Sequence, residues 1–127
     1  MANWTIMFYQ VADNALDCAL LKNIEQLLSV AGTLELQNIV MLADRPSTDS
    51  WDSCGGTGEA KNIGGLTWES GVMEMKIKNT LQGGKLELIK DHGELNMGDP
   101  TILSGFINRT IMTYPADEYM LIMWDHG

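Results

Sequence analysis

The chain has 127 residues, a formal net charge of -9 and 45% hydrophobic residues, which is the size of one domain with material for a core and excludes a disordered chain. The acidic balance repels nucleic acid phosphates and anionic membrane surfaces and favours basic peptides or cations, so neither nucleic acid nor membrane is an expected partner. No apolar run approaches the roughly 18 residues of a membrane span. Met1-Ala2-Asn3-Trp4 lacks the positive region and apolar core of a signal peptide, so such a peptide is absent or already removed and a cytoplasmic location is the default expectation. Two cysteines, Cys18 and Cys54, make no disulfide framework.

Trp4 to Val11 (WTIMFYQV) is a β-rich apolar run suited to a buried strand. Asp13 or Asn14 caps a following helix whose apolar positions, Leu16, Leu20, Ile24, Leu27, Leu28 and Ala31, follow the helical repeat, with Gly32 as its stop. Leu36 to Ala43 reads as the next strand, completing a right-handed strand-helix-strand crossover, with Asp44 and Arg45 at its end. Arg45 to Gly71 is rich in Ser, Thr, Asp and Gly with Trp51 and Trp68 embedded; so long a loop predicts partial packing through the tryptophans.

Val72 to Lys78 and Lys85 to Lys90 alternate apolar and charged residues about a turn at Asn79 to Gly84, which predicts a half-exposed antiparallel hairpin at the sheet edge or laid over it. Asp99-Pro100 opens a second helix, with Ile102, Leu103, Phe106, Ile107, Ile111 and Tyr114 on one face and Pro115 as its end. Tyr119 to Trp124 is apolar on both alternating faces, the pattern of a strand buried inside a parallel sheet, and it delivers Asp125, His126 and Gly127 to its carboxyl end. Open parallel sheets carry their chemistry just beyond such strand ends. No helix follows this last strand, so one face or edge of it lies bare unless another polypeptide covers it. Residues 1 to 127 therefore read as the amino-terminal part of one domain completed by a second chain or a downstream segment.

WTIMFYQVADNALD, LADRP, GELNMGDP and YPADEYMLIMWDHG resemble, in this order and at plausible intervals, the clostripain family of cysteine peptidases. The resemblance implies a caspase-like three-layer α/β/α sandwich with a mostly parallel sheet, and a Cys-His dyad cleaving peptide bonds after Arg or Lys. The family's catalytic histidine, in a His-Gly after the third core strand, maps onto His126-Gly127. Its cysteine, in an Asp-x-Cys pattern after the next core strand, has no counterpart here, so this chain is similar to the lighter amino-terminal chain of processed members. The implied partners are a carboxyl-terminal chain or segment bearing that cysteine, and a peptide or protein substrate.

The chemistry suits that placement, because a thiol nucleophile needs an imidazole to activate it and to protonate the leaving amine. Gly127 lets backbone approach the substrate and offers an amide to the oxyanion. On position alone, a polar turn after a strand accounts for Asp125-His126-Gly127 equally well. Asp91-His92-Gly93 repeats the same letters but follows a half-exposed strand, so His92 is expected in a surface turn. Cys54, between small loop residues, and Cys18, on the first helix, have plainer readings as a free loop thiol and as packing. Asp13 and Asn14, at the end of the first strand, are substrate-binding candidates as well as capping residues. Asp44, Arg45 and Asp99 have structural readings. The dyad requires no cofactor; calcium dependence occurs in the family, and Asp49 and Asp52 are oxygen donors, but no spaced ligand set is present and no metal ligand is assigned. The competing function is a non-catalytic α/β binding or scaffold module in which His126 is incidental.

Overall fold

The computed structural model describes residues 2–12, 17–31, 37–45, 61–68, 70–81 and 83–125, the side chains of Asp17, Cys18 and Lys61 excepted. In chain order the elements are β1 (Ala2–Val11), α1 (Asp17–Ser29), β2 (Gln37–Arg45), β3 (Lys61–Ile63), β4 (Leu66–Trp68), β5 (Gly71–Thr80), β6 (Gly83–Gly93), α2 (Pro100–Thr113) and β7 (Ala116–Trp124). Five strands form one sheet in the order β6-β5-β2-β1-β7, and β3 and β4 form a separate two-stranded hairpin.

β1 runs parallel to both β2 and β7, with Tyr9 opposite Leu42 on one side and Met123 on the other. Crossover handedness and a switch point between the first and third apolar strands predict that the first lies between the other two, and that order is found. β5 joins β2 antiparallel and β6 joins β5, so the predicted hairpin extends the sheet at the edge away from β7.

Alternation along the strands divides the core in two. Phe8, Ile39, Met41, Ala43, Met73 and Met75 face α1, where Leu20 and Ile24 are fully buried against them. Met7, Tyr9, Val40, Leu42 and Val72 face α2, where Phe106 is the central knob, its ring centroid 6.4 Å from that of Tyr9. The sheet thus lies between two helical layers, the α/β/α arrangement expected. Close approach makes Gly84 necessary: a Cβ there would meet the Leu28 carbonyl oxygen at 2.7 Å and the Ala31 Cβ at 2.8 Å.

The structure alters several expectations. β7 is not buried: it is the edge strand of this chain, with Met120 43% and Met123 58% exposed, because no strand lies beyond it among the described residues and only Ile122 and Trp124 pack against the α1-side core. β2 continues two residues past Ala43, so Asp44 and Arg45 are its last two residues, and both are buried. The predicted face of α2 is found at Ile102, Leu103, Phe106, Ile107 and Tyr114, which pack in the α2-side core with Thr110 buried beside them, while Ile111 is exposed. Between β2 and β5 the β3-β4 hairpin packs through Trp68, as expected of that tryptophan; Trp51 lies outside the described residues.

Trp68 shows how the hairpin is held. It is 1% exposed in the α1-side core, its indole Nε1 donates to the Gly71 carbonyl at 3.2 Å, and its own carbonyl accepts from Arg45 Nη1 at 2.7 Å. Gly71 has φ +79°, and a Cβ there would meet the Gly93 carbonyl oxygen at 2.9 Å. The chain can enter β5 beside the end of β6 only with glycine at this place.

Candidate active site

The carboxyl ends of β1 and β7 lie side by side, and the loop before α2 closes over them. Tyr9, Val11, Met97, Gly98, Met123, Trp124 and Asp125 line an open cleft of about 390 Å³. Tyr9 sits two residues before the end of β1 and its side chain rises on the α2 side, because that is the parity it shares with Met7. Its phenol donates to the Met97 carbonyl oxygen at 2.6 Å, tying the loop to the sheet. Burial raises the Tyr9 pKa first, and the negative charges of Asp44 and Asp99 raise it further, so this hydroxyl keeps its proton.

Asp99 begins α2. Its Oδ1 accepts from the backbone N–H of Thr101 at 2.9 Å and from the Thr101 hydroxyl at 2.9 Å, and Pro100 takes the first helical position. These two bonds, the backbone one foremost, hold its carboxyl below the ordinary range. The loop is further fixed by Gly98 N–H donating to Asn96 Oδ1 at 3.0 Å. The loop wall of the cleft is thus held by bonds to its own backbone groups.

Of the sequence-derived site residues, His126, Gly127, Asp13 and Asn14 lie outside the described residues, as do Cys54, Asp49 and Asp52. Among the described residues, no group of three or more His, Cys, Asp or Glu side chains is disposed to hold a metal ion. What is described is the frame: the strand ends and the loop of GELNMGDP come together, although more than eighty residues separate Val11 from Met97 in sequence.

His92 is not in a surface turn. It lies within β6, and its Nε2 is 2.9 Å from Glu74 Oε1, the same oxygen that accepts from Arg109 Nη2 at 2.7 Å. The Glu74 side chain is 5% exposed and that of His92 11%, whereas Arg109 is half exposed. This cluster joins β5, β6 and α2 on the α2 face of the sheet. Sequence reading missed it because Glu74 sits in an alternating strand that looks half solvated; the signal available was that an acid in the first half of that strand faces the same side as Val72.

The clostripain family profile matches residues 8–127. The chain belongs to the clostripain family. Clostripain of Hathewaya histolytica is 33% identical over 128 aligned residues, covering 97% of this chain and 23% of that protein, so the chain spans about a quarter of its relative's length. An inactive zymogen C11 protease from Parabacteroides distasonis superposes with a TM-score of 0.75 at 19% identity, over 99% of this chain and 31% of that one. A B. fragilis cysteine protease chain gives 0.74 at 17% identity, over 100% of this chain and 91% of that one. A clostripain from Bacteroides thetaiotaomicron in complex with the peptide inhibitor BTN-VLTK-AOMK gives 0.70 at 13% identity, with 99% and 91% covered. At these identities the structural likeness fixes the fold, the caspase-like sandwich of this clostripain-family chain.

Proposed function

We propose that this chain is the histidine-bearing amino-terminal part of a cysteine endopeptidase that cleaves after Arg or Lys. The observation that carries the reading is the family match running through residue 127, joined to a parallel strand, β7, whose carboxyl end lies beside that of β1 and is followed in sequence by Asp125-His126-Gly127. Open parallel sheets place reactive groups beyond such strand ends.

In this reading His126 takes the proton from the cysteine thiol and returns it to the leaving amine, and Gly127 offers its amide to the oxyanion. Asp13 and Asn14 border the substrate at the end of β1. The cysteine comes from a carboxyl-terminal chain or segment, and residues 1–127 form one domain with it. The bare edge and half-exposed faces of β7 favour such a partner, because an exposed apolar strand edge is a liability that natural domains cover. The Cys-His chemistry requires no cofactor. The preference for a basic residue is supported by the resemblance and by the neighbour that carries BTN-VLTK-AOMK, whose peptide ends in lysine.

The test is hydrolysis by the complete protein of fluorogenic peptides ending in Arg, Lys, Asp or Leu, with His126→Ala, His92→Ala and Cys54→Ala compared. A dyad acts as a unit, so His126→Ala alone should lower the rate by about three orders of magnitude or more. The isolated 127-residue chain should cleave none of the peptides. Preference for Asp, cleavage by the isolated chain, or an equal loss in Cys54→Ala would overturn the reading.

A further inference from the structure

The register of the β5-β6 hairpin gathers positive charge on one face at the sheet edge away from β7. Lys78 stands opposite Lys85, Lys76 opposite Glu87 and Glu74 opposite Lys90. All lie on the side of the sheet that carries Val72 and α2, and Arg109 reaches Glu74 there from α2. These are five of the chain's eight basic residues and two of its seventeen acidic ones. The face is therefore net +3, while the rest of the chain, with three basic and fifteen acidic residues, is net -12.

Two rows of this ladder pair opposite charges; the third does not. Lys78 and Lys85 are both exposed and directly opposite, an arrangement that destabilises a sheet when nothing anionic lies on it. Lysines and register shifts on an edge strand guard it against pairing with other chains, and β6 has both. That role accounts for Lys85 and Lys90, but not for Lys78, which belongs to the inner strand β5, nor for Arg109 on α2. Beside the lysine rows, Ile89, Met112, Thr113 and Tyr114 surround an open cavity of about 230 Å³ with Glu74 and Arg109 in its walls. Ile89 is 39% and Met112 84% exposed, and the Lys76 ammonium lies 4.6 Å from the centroid of the Tyr114 ring, where the cavity meets the lysine rows.

We infer that this face docks a short acidic segment of another polypeptide, its carboxylates on Lys78, Lys85 and Arg109 and one apolar side chain in the cavity between Ile89 and Met112. Charge complementarity selects the acidic partner: carboxylates on the face relieve the repulsion of Lys78 and Lys85. The Debye length at physiological salt is about 8 Å, so a short segment seated here is governed by these cations. An anionic membrane or a long polyanion extends over the surrounding acidic surface and is repelled. The cavity favours a polypeptide further, because a phosphate polymer has no apolar side chain to place in it. The register shifts on β6 disfavour addition of a further strand at its edge, so the segment lies on the face. The inference does not depend on the peptidase reading.

The test is fluorescence anisotropy with the complete protein and a fluorescein-labelled peptide of Glu with two central Leu, which contains no Arg or Lys and so is no substrate under that reading. Binding should weaken as salt is raised, and replacing both Leu by Ala should weaken it several-fold. The double variant Lys78→Glu, Lys85→Glu should weaken it by about tenfold or more. Lys22→Glu, the same charge change at an exposed place on α1, should leave it near the wild-type value. Lys78→Glu alone turns the like-charged row into an opposite one, so it should raise the urea midpoint while weakening binding. A loss of binding in a more stable protein cannot come from unfolding. Met112→Ser should remove the advantage of Leu over Ala. No binding of the peptide at low salt, binding indifferent to Lys78 and Lys85, or equally tight capture by phosphatidylserine vesicles or polyphosphate would overturn the inference.

Discussion

Arg45 and Trp68 bind each other twice: the guanidinium donates to the tryptophan carbonyl at 2.7 Å and lies 5.7 Å from the centroid of its indole ring. Both residues are buried, so the pair fastens the β3-β4 hairpin to the second core strand in a place water does not reach. Arg45→Met keeps the apolar stem and removes the donor, leaving a buried carbonyl unserved. The expected loss is about 1–3 kcal/mol of folding stability, measured as a lower urea midpoint. Arg45→Lys should recover only part of it, because the ammonium is not planar and does not stack on the indole as a guanidinium does.

Glu74 Oε1 serves two donors on two elements, so the contributions of His92 and Arg109 cannot be independent. Arg109 is half exposed and its pairing is screened, so Arg109→Ala alone should cost less than about 1 kcal/mol. Removing both donors leaves Glu74 buried and unserved by either. The double variant should therefore exceed the sum of the single ones by about 0.5 kcal/mol or more in a double-mutant cycle. Strict additivity would show that the shared oxygen couples nothing.

Two tyrosines make the fold sensitive to alkali. Burial raises the pKa of both Tyr9 and Tyr114, with Asp44 and Asp99 adding to the first and Glu87 and Glu74 to the second. A raised folded value means that above about pH 10 the unfolded chain has released protons that the native chain still holds. Their contribution is complete below the ordinary tyrosine value and is lost as pH rises through the folded values. Urea midpoints from pH 8 to 11 should fall, and the Tyr9→Phe, Tyr114→Phe double variant should fall less steeply across the upper part of that range.

At the acid end the cap of α2 acts with opposite sign. The Asp99 carboxyl is held low by the Thr101 backbone N–H and then by the Thr101 hydroxyl, so its contribution is present above the ordinary carboxylate value and lost as pH falls through the folded one. Asp99→Ala should lower Tm at neutral pH, and the difference from wild type should shrink in acid. Asp99→Asn, which still accepts a hydrogen bond at the cap, should keep most of the neutral stability while losing the acid dependence.

The sequence by itself determined the main elements and the order of the three parallel strands, but not the β3-β4 hairpin inside the long loop. Three apolar strands, two helices with readable faces, and one alternating hairpin follow from periodicities of 2 and 3.6, which are local properties of the chain. The clostripain-family blocks were legible for a related reason: WDHG and GELNMGDP are short contiguous runs. Only the tertiary structure decided what depends on residues far apart meeting. It brought Met97 over Tyr9, put Glu74 and Arg45 under cover where their polar groups needed partners, and drew His92 into β6 rather than a turn. It also decided that β7, with its apolar run Tyr119 to Trp124, stands at the edge of this chain; hydrophobicity is local to the strand, whereas what lies beside it depends on residues distant in sequence.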